Sequence, residues 1–242
     1  MNIALVTTAY RGYQRFIPNW LNFIAEMDTK PTQIVIAMEK TNIDIQSQLT
    51  EEAKKLNVDF VTVRHARHMG QMRNLAVKHT NTEWVMYLSV DDKIQPYAID
   101  EFKKYEKDSD WICIRWQSKG LGLKMQTHNG VTPHENYQNR KKTKKGGFII
   151  AQSPYRRWVW EKSPYPDHDY PNAGFIAMAV LNKARFRKTK RPCTVYLRRE
   201  DSHARTELIK PHNKRKAISE KRKMERMIDQ YYRKHKLSNL VS

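Results

Sequence analysis

The sequence predicts an α/β fold in which helices flank a mostly parallel sheet. Short apolar segments of strand length alternate with amphipathic segments of helix length as far as residue 92. This alternation is typical of parallel sheets with helices on both faces. The length of 242 residues fits one such domain. Residues 206–242 combine an apolar face at helical spacing with many Lys and Arg, which predicts a basic helical tail.

The first half contains four strand-like and three helix-like segments. We expect strands at Ile3–Thr7, Gln33–Met38, Asp59–Val63 and Trp84–Leu88, and helices at 14–27, at Ile43–Leu56 and from residue 70 onward. In the first helix, Phe16, Trp20 and Phe23 recur at helical spacing, which indicates a face packed into the core.

The second half is less regular. We expect helices at Ala98–Asp108 and Asn172–Lys183, strands at Trp111–Trp116, Phe148–Ala151 and Val195–Arg199, and a long polar loop at Ser118–Gly147. A loop of that length inside a compact domain is usually functional or disordered. The chain contains no internal repeat.

The composition narrows the class of partner. The formal net charge is +20, which favours a polyanion, either nucleic acid or an anionic membrane surface. Only Cys113 and Cys193 are present, so a disulfide framework and a zinc knuckle are excluded and a reducing compartment is expected. The first residues lack the pattern of a signal peptide, and no segment reaches membrane-spanning length, so we expect a cytoplasmic protein.

Residues 70–92 carry the clearest functional signal. Gly70 and the pair Arg73-Asn74 open a helix-length segment, and the strand that follows ends in two adjacent carboxylates, Asp91 and Asp92. Ligands of open α/β sheets bind at the carboxyl ends of strands, and paired carboxylates favour a hard divalent cation. The alternative is an ordinary turn in which one aspartate caps a helix.

Motifs for several other chemistries are absent from the sequence. There is no Gly-x-Gly-x-x-Gly after the first strand, no Walker A loop and no Gly-x-Ser-x-Gly elbow. The first two absences argue against a dinucleotide oxidoreductase and a P-loop NTPase, and the third argues against a serine nucleophile at a strand-to-helix turn.

The order of Gly70, Arg73-Asn74, helix, strand and Asp91-Asp92 resembles the nucleotide-sugar-binding half of GT-A glycosyltransferases of the family 2 type. In that family the strand usually ends in Asp-x-Asp or Asp-x-Asp-Asp. Here it ends in Ser89-Val90-Asp91-Asp92, with a serine at the first acidic position.

The resemblance implies a Rossmann-like GT-A fold and a division of the chain. Residues 1–205 would form the glycosyltransferase domain, with 1–92 as the nucleotide-sugar-binding half, 93–205 as the acceptor half, and 206–242 as the tail. It also implies a hexosyl- or pentosyltransferase that uses a nucleoside diphosphate sugar. The sugar, the nucleotide base and the oligomeric state do not follow from these motifs.

The same resemblance implies which residues contact the donor. They follow the first strands or lie between the third and fourth strands: Thr7, Thr8, Ala9, Tyr10, Arg11, Glu39, Arg64, Arg73 and Asp91. For Glu39 and Arg64 the alternative is a solvated strand end.

A divalent cation is also implied. Negative charge develops on the leaving diphosphate, and a cation or a positioned arginine stabilises it. By resemblance, Mg²⁺ or Mn²⁺ would be held by Asp91, with Asp92 and His203 as further ligands. Ser89 offers only a neutral oxygen, so we expect a lower metal affinity than in an Asp-x-Asp enzyme. For His203 the alternative is an ordinary surface histidine.

The acceptor hydroxyl needs a general base. In the family a carboxylate near the start of a helix in the second half has this role. Asp169 is our first candidate here and Asp167 the second. Inverting members displace the diphosphate in one in-line step without a covalent intermediate. The alternative for both residues is helix capping and turn formation.

Basic runs at 140–145, 183–191 and 205–236 are interleaved with aromatic residues, a pattern typical of nucleic-acid binding. The expected acceptor contacts are Arg156, Arg157, Trp158, Lys221, Arg222 and Lys223. With the glycosyltransferase resemblance, this predicts sugar transfer to a flipped hydroxymethylated pyrimidine of DNA. Several phage-encoded transferases do this, and such an enzyme would act in the host cytoplasm.

Two alternatives remain open for the basic segments. The tail could lie on an anionic membrane in a peripheral envelope, lipid-linked or polysaccharide glycosyltransferase. Ser89 also leaves open a nucleic-acid-binding protein with a degenerate GT-A site.

Overall fold

A mixed β-sheet forms the centre of the structure. The computed structural model describes residues 1–65, 68–143, 152–199 and 211–235. The strands are β1 (Ile3–Ala9), β2 (Gln33–Glu39), β3 (Val58–Val63), β4 (Trp84–Tyr87), β5 (Lys93–Ile94), β6 (Trp111–Gly120), β7 (Leu123–His128), β8 (Pro154–Arg156) and β9 (Phe186–Leu197). Within the described residues they form one sheet in the order β3-β2-β1-β4-β8-β6-β9-β5, with β7 paired to β6.

Helices cover the two faces of the sheet. They are α1 (Ile17–Ala25), α2 (Glu51–Lys54), α3 (Met69–Lys78), α4 (Ala98–Lys103), α5 (Pro133–Thr143), α6 (Arg157–Lys162), α7 (Pro171–Leu181) and α8 (Pro211–Lys234). Short 3-10 helices occur at Tyr13–Phe16 and Gln46–Gln48.

The sheet confirms the predicted α/β class. Strands β3, β2, β1 and β4 are mutually parallel, so their carboxyl ends meet at one edge. Strand β8 is antiparallel to both β4 and β6, and β6 is parallel to β9. The first half is therefore the regular βα unit that the sequence predicts, while the second half is mixed.

The central strands are buried on both faces, which explains why their sequences are continuously apolar. In β1, Ala4 and Val6 belong to one core and Ile3 and Leu5 to the other. Trp20 of α1 is buried in the second core, as its helical spacing predicts.

The predicted helix Ile43–Leu56 is wrong in extent. The segment contains the 3-10 helix Gln46–Gln48 and the single turn of α2. Leu49 is extended between them, and the hydroxyl of Thr50 accepts from the Ala53 N–H as the N-cap of α2. Thr50 therefore begins a new helix inside the segment.

The predicted loop Ser118–Gly147 is also wrong, because the described part of it contains the end of β6, all of β7 and all of α5. Strand β7 is almost wholly exposed, and its two apolar residues, Leu123 and Met125, are too few to identify a strand within a polar segment. Helix α5 begins with a capping box in which Thr132 and Glu135 bond to each other's backbone N–H.

Other boundaries differ by a few residues. Helix α4 ends at Lys103 and turns continue to residue 108. Strand β9 begins at Phe186, nine residues before the predicted Val195, because pairing with β6 overrides its polar composition. The strand predicted at Phe148–Ala151 lies outside the described residues.

Helix α8 packs against the rest of the structure. Met224, Ile228 and Tyr232 are buried in the same core as Phe175 of α7, and Arg140 of α5 forms an ion pair with Asp229 on α8 at 2.7 Å. The division of the chain after residue 205 stays a prediction, because residues 200–210 lie outside the described part.

Gly70 in α3 provides a test of the packing. A Cβ atom at this position would lie 1.8 Å from the Pro166 carbonyl oxygen. We expect Gly70→Ala to lower the free energy of unfolding by about 1–3 kcal/mol, because helix and loop must separate. Urea denaturation measures this, with Gln71→Ala, an exposed position on the same helix, as the control. Equal stability of both variants would contradict this packing.

Candidate active site

A cavity of about 430 Å³ opens at the carboxyl ends of β1 and β4. Its wall combines residues that follow these strands with the first turns of α3 and α7 and one face of α8. Crevices at this edge of an α/β sheet are the usual ligand sites. The cavity lies where the sequence placed the paired carboxylates.

Helix α3 joins the two halves of the site. The Asn74 amide donates to the Tyr165 carbonyl at 2.8 Å, and its oxygen accepts from the Tyr165 N–H and from Trp160 Nε1 at 2.9 and 2.8 Å. The Met69 N–H donates to Asp169 Oδ1 at 3.2 Å. These bonds fix the loop that carries Asp169 against the parallel half of the sheet.

Arg73 is a buried cation in the cavity wall. It is 3% exposed, its guanidinium lies 3.8 Å from the centre of the Tyr87 ring, and it donates to Asn172 Oδ1. Among the described residues, its Nε has no hydrogen-bond partner and no carboxylate forms an ion pair with the guanidinium. A desolvated guanidinium with an unused donor suits an anionic ligand.

The loop after β1 is held in a left-handed conformation. Arg11 and Gly12 have φ angles of 54° and 85°, and the Arg11 N–H donates to Glu39 Oε2 at 2.9 Å. The Arg11 guanidinium lies 3.8 Å from Asp169 Oδ2. Glu39 supports this loop and does not line the cavity, and its expected contact with the donor stays a prediction.

The other residues predicted to contact the donor after β1 lie on two opposite faces of the strand. Thr8 and Tyr10 line the cavity, and the Thr8 and Tyr87 hydroxyls lie 3.1 Å apart. Burial raises the pKa of Tyr10, so the phenol stays neutral. Thr7 and Ala9 are buried and outside the lining, because alternate residues of a strand point to opposite faces.

Asp91 faces the cavity next to an arginine that sequence analysis missed. Asp91 Oδ2 lies 3.9 Å from Arg199 Nη1, and the Asp91 side chain is 13% exposed. The Arg199 guanidinium stacks 4.2 Å from the centre of the Phe16 ring. No local signal distinguishes Arg199 among 45 Lys and Arg residues. It reaches the site only because β9 ends at the same sheet edge.

Asp92 is turned away from solvent and is 1% exposed. Its oxygens accept from the Leu197 N–H at 3.1 Å and from Gln152 Nε2 at 2.8 Å. Burial, and then the adjacent Asp91, raise the pKa of Asp92 to about 8, against the opposing effect of the two hydrogen bonds. Asp92 lines the cavity, and these bonds give it a structural role, joining the loop after β4 to β9. Its expected role as a metal ligand stays a prediction.

Of the two candidate bases, only Asp169 reaches the cavity. It lines the wall with its side chain 27% exposed. Asp167 is exposed and does not line the cavity. The structure therefore distinguishes two carboxylates that the sequence could only rank: Asp169 lines the cavity and Asp167 is directed to solvent.

Helix α8 closes one side of the cavity through Ala217 and Glu220. Glu220 Oε2 lies 3.7 Å from Nε2 of His168, beside Asp169. The sequence analysis did not predict this contact, because it assigned the last helix to a separate tail.

Two further candidates do not reach the site in the described structure. Arg64 is exposed after β3 and does not line the cavity, which matches the alternative of a solvated strand end. His203 lies outside the described residues.

The expected acceptor contacts in the second half lie at the opposite end of β4. Arg156 pairs in register with Trp84, the first residue of that strand, and forms ion pairs with Glu83 and Asp110. Arg157 donates to Thr80 Oγ1 at 2.9 Å and to Glu161 Oε1 at 2.9 Å. Trp158 is half-buried against the core. These three residues have structural contacts far from the cavity, so we do not retain them as acceptor contacts.

The residues around Asp91 limit which metal site can form. Within the described part of the chain, no group of three His, Cys, Asp or Glu residues could hold a metal ion. Asp91 and Asp92 both line the cavity, and the oxygens of Asp92 already accept from Leu197 and Gln152. Such a donor set fits a cation that takes its remaining ligands from water and substrate phosphates, as Mg²⁺ does.

Comparisons with known proteins identify solved structures with the same fold. No family model matches the chain. The crystal structure of Staphylococcus aureus TarS in complex with UDP-GlcNAc superposes with a TM-score of 0.70 at 17% identity, over 98% of this chain and 73% of that one. The TarS complex with UDP gives 0.64 at 16% identity, over 99% and 73%. This likeness establishes a shared GT-A-like fold, as the sequence predicted.

A curated relative matches a shorter region. A teichoic acid poly(glycerol phosphate) polymerase from Staphylococcus epidermidis is 24% identical over 115 residues, which are 46% of this chain and 16% of the relative. This chain thus spans about one sixth of that relative's length. This chain covers 43% of the length of another TarS crystal structure. None of the helices in the described residues is long and apolar enough to cross a membrane.

Asp92 offers a test of the structural role assigned to it. We expect Asp92→Ala to lower the free energy of unfolding at pH 7 by about 1–3 kcal/mol, because the Leu197 N–H and the Gln152 amide lose a buried acceptor. Asp92→Asn keeps one of the two acceptor oxygens, so it should cost less than the alanine variant. Urea denaturation of both variants measures the difference. An alanine variant as stable as wild type would exclude the anchoring role.

Proposed function

We propose that this chain is a glycosyltransferase that moves a sugar from a nucleoside diphosphate sugar to a hydroxyl group of a cell-envelope acceptor. The observation that carries the proposal is the buried guanidinium of Arg73, which faces the cavity without an ion-pair partner among the described residues. A buried cation is unfavourable unless an anion offsets its lost hydration. A diphosphate in the cavity supplies that anion.

The TarS structures support a uridine diphosphate sugar as the donor, since TarS was crystallised with UDP-GlcNAc and with UDP. We place the diphosphate between Arg73 and Asp91, and the nucleoside against the loop at Tyr10 and Arg11, because all four residues line one cavity. Tyr87 stacks on Arg73 and fixes the direction in which the guanidinium points.

Mg²⁺ or Mn²⁺ is the proposed cofactor, with Asp91 as its protein ligand. When bound, the cation would offset negative charge on the departing diphosphate. Arg73 and Arg199 bring positive charge to the same region from the protein. Because these two arginines are already in position before the donor binds, they would stabilise the leaving diphosphate without rearrangement.

Asp169 is the proposed general base. The Met69 N–H and the nearby Arg11 guanidinium hold its carboxylate at the cavity wall. As the acceptor oxygen attacks the anomeric carbon, its proton passes to Asp169 and the bond to the diphosphate breaks in the same in-line step. One displacement inverts the anomeric configuration.

An envelope acceptor replaces the DNA base that the sequence predicted. The match to a teichoic acid poly(glycerol phosphate) polymerase supports this choice, and neither that polymerase nor TarS supports a DNA acceptor. Lys221, Arg222 and Lys223 are exposed on α8, the helix whose Ala217 and Glu220 line the cavity. Their charge suits a polymer that carries phosphates, and phosphates also dominate nucleic-acid binding.

The role of Arg73 can be measured by nucleotide binding. Arg73→Met keeps the side-chain volume and removes the charge, so we expect UDP affinity to fall about tenfold to a hundredfold, as a lost charge-assisted hydrogen bond predicts. The UDP affinity of Arg73→Lys should lie between those of wild type and Arg73→Met, because lysine keeps the charge but lacks the planar guanidinium with its several donors. Titration calorimetry measures both.

Arg64→Met is the matched control, since Arg64 is exposed and outside the cavity wall. It should bind UDP like wild type. Wild-type affinity in Arg73→Met, with the fold intact by circular dichroism, would remove the observation on which the proposal rests.

The role of Asp169 can be measured by transfer assays with UDP-sugars. Asp169→Asn should reduce transfer about 10²–10⁴-fold, the range for loss of a general base, with UDP affinity nearly unchanged. Asp167→Asn, two residues away and outside the cavity wall, is the control and should retain activity. Poly(glycerol phosphate) and hydroxymethylated DNA are compared as acceptors.

Two results would contradict this assignment. Full transfer by Asp169→Asn, or inactivity of Asp167→Asn alone, would show that the base is elsewhere. Donor turnover stimulated by hydroxymethylated DNA and not by the phosphate polymer would restore the DNA acceptor.

A further inference from the structure

We propose that the tip of the β6–β7 hairpin, residues 119–125, inserts into an anionic lipid surface and so docks the cavity at a membrane. This inference goes beyond the proposed function and does not depend on it, because lipid binding is measured without donor or acceptor.

The tip exposes apolar side chains in an unusual concentration. Leu121, Leu123 and Met125 are 39%, 50% and 49% exposed. In the described residues, only two other large apolar side chains are comparably exposed, Phe60 and Ile218. These three side chains lie within five residues at the end of the β6–β7 hairpin, and we call them the apolar wedge. No other described part of the chain covers them.

The backbone holds this wedge in a defined shape. Leu121 has a φ of 58°, between Gly120 at 120° and Gly122 at 71°. A bulky residue with positive φ is uncommon and unfavourable. A Cβ atom on Gly120 would lie 2.3 Å from the Arg198 carbonyl oxygen, so the hairpin is packed tightly on the end of β9. The exposed leucines are therefore presented by a tight turn at the end of the sheet.

The charges around the wedge select a lipid surface over an apolar protein groove. Lys119 and Lys124 flank the leucines and are exposed, and no Asp or Glu occurs between Asp110 and Glu135 in the sequence. Apolar side chains framed by cations are the pattern of elements that enter the interface of anionic bilayers.

The hairpin also lies beside the cavity. The Arg198 N–H donates to the Lys119 carbonyl at 2.7 Å, and the next residue, Arg199, approaches Asp91 to 3.9 Å. Insertion of the tip would therefore place the sheet edge that carries Asp91 near the headgroups. An acceptor anchored in the membrane would be within reach of that edge.

Flotation with vesicles tests the proposal. Wild type should float with vesicles of phosphatidylglycerol and phosphatidylcholine in equal parts, and much less with phosphatidylcholine alone. Leu123→Ser/Met125→Ser should weaken binding to the mixed vesicles at least about tenfold, since each buried methylene contributes about 0.8 kcal/mol. Phe60→Ser/Ile218→Ser removes two comparably exposed apolar side chains elsewhere and should bind like wild type.

Insertion itself can be seen with a fluorescent label. Cys113 and Cys193 are buried, so Leu123→Cys offers the one exposed thiol of the chain for a polarity-sensitive dye. Its emission should shift to the blue on mixed vesicles, whereas the same dye on Phe60→Cys should not shift. An unshifted dye at position 123 would overturn the proposal. So would undiminished flotation of the hairpin variant together with loss of flotation in Lys221→Ala/Arg222→Ala/Lys223→Ala, because binding would then lie on α8.

Discussion

The contact between α3 and the loop before α7 is the constraint on which the site depends. Asn74 satisfies both backbone groups of Tyr165 and the indole of Trp160, and Gly70 leaves no room for a side chain beneath Pro166. Buried polar bonds of this kind are expensive to leave unmade. They hold the loop before α7 against α3, and residues of both line the cavity at the carboxyl ends of β1 and β4.

Two buried titratable side chains, Arg73 and Asp92, have roles that follow from how they are desolvated. Arg73 is desolvated because α7 closes over α3, and a desolvated cation is ready for a diphosphate without rearrangement. Asp92 is desolvated because β9 passes behind the loop that carries it. It lines the same cavity as Asp91, but its oxygens are already used in bonds to Leu197 and Gln152. Adjacent carboxylates thus differ in function because their environments differ.

The sequence predicted the parallel strands and the edge at which Asp91 lies, because strands buried on both faces leave continuous apolar segments that local pattern detects. It could not identify Arg199 or Glu220, which reach the cavity only through pairing and packing of distant segments. Strand β7 could not be identified because only Leu123 and Met125 are apolar within a long polar segment. The start of α5 does have a local signal in the sequence, the capping box formed by Thr132 and Glu135. Trp158 is a residue that the sequence suggested as a ligand contact. An aromatic residue beside arginines gives the same sequence pattern whether it stacks on a ligand or, as here, packs on the core.

The most direct test of the central claim is a crystal structure of the protein with UDP and Mg²⁺. The account predicts that the diphosphate contacts the Arg73 guanidinium, that the nucleoside lies against the loop of Tyr10 and Arg11, and that Asp91 is the carboxylate nearest the phosphates. A nucleotide bound elsewhere on the surface, or a diphosphate directed away from Arg73, would contradict it.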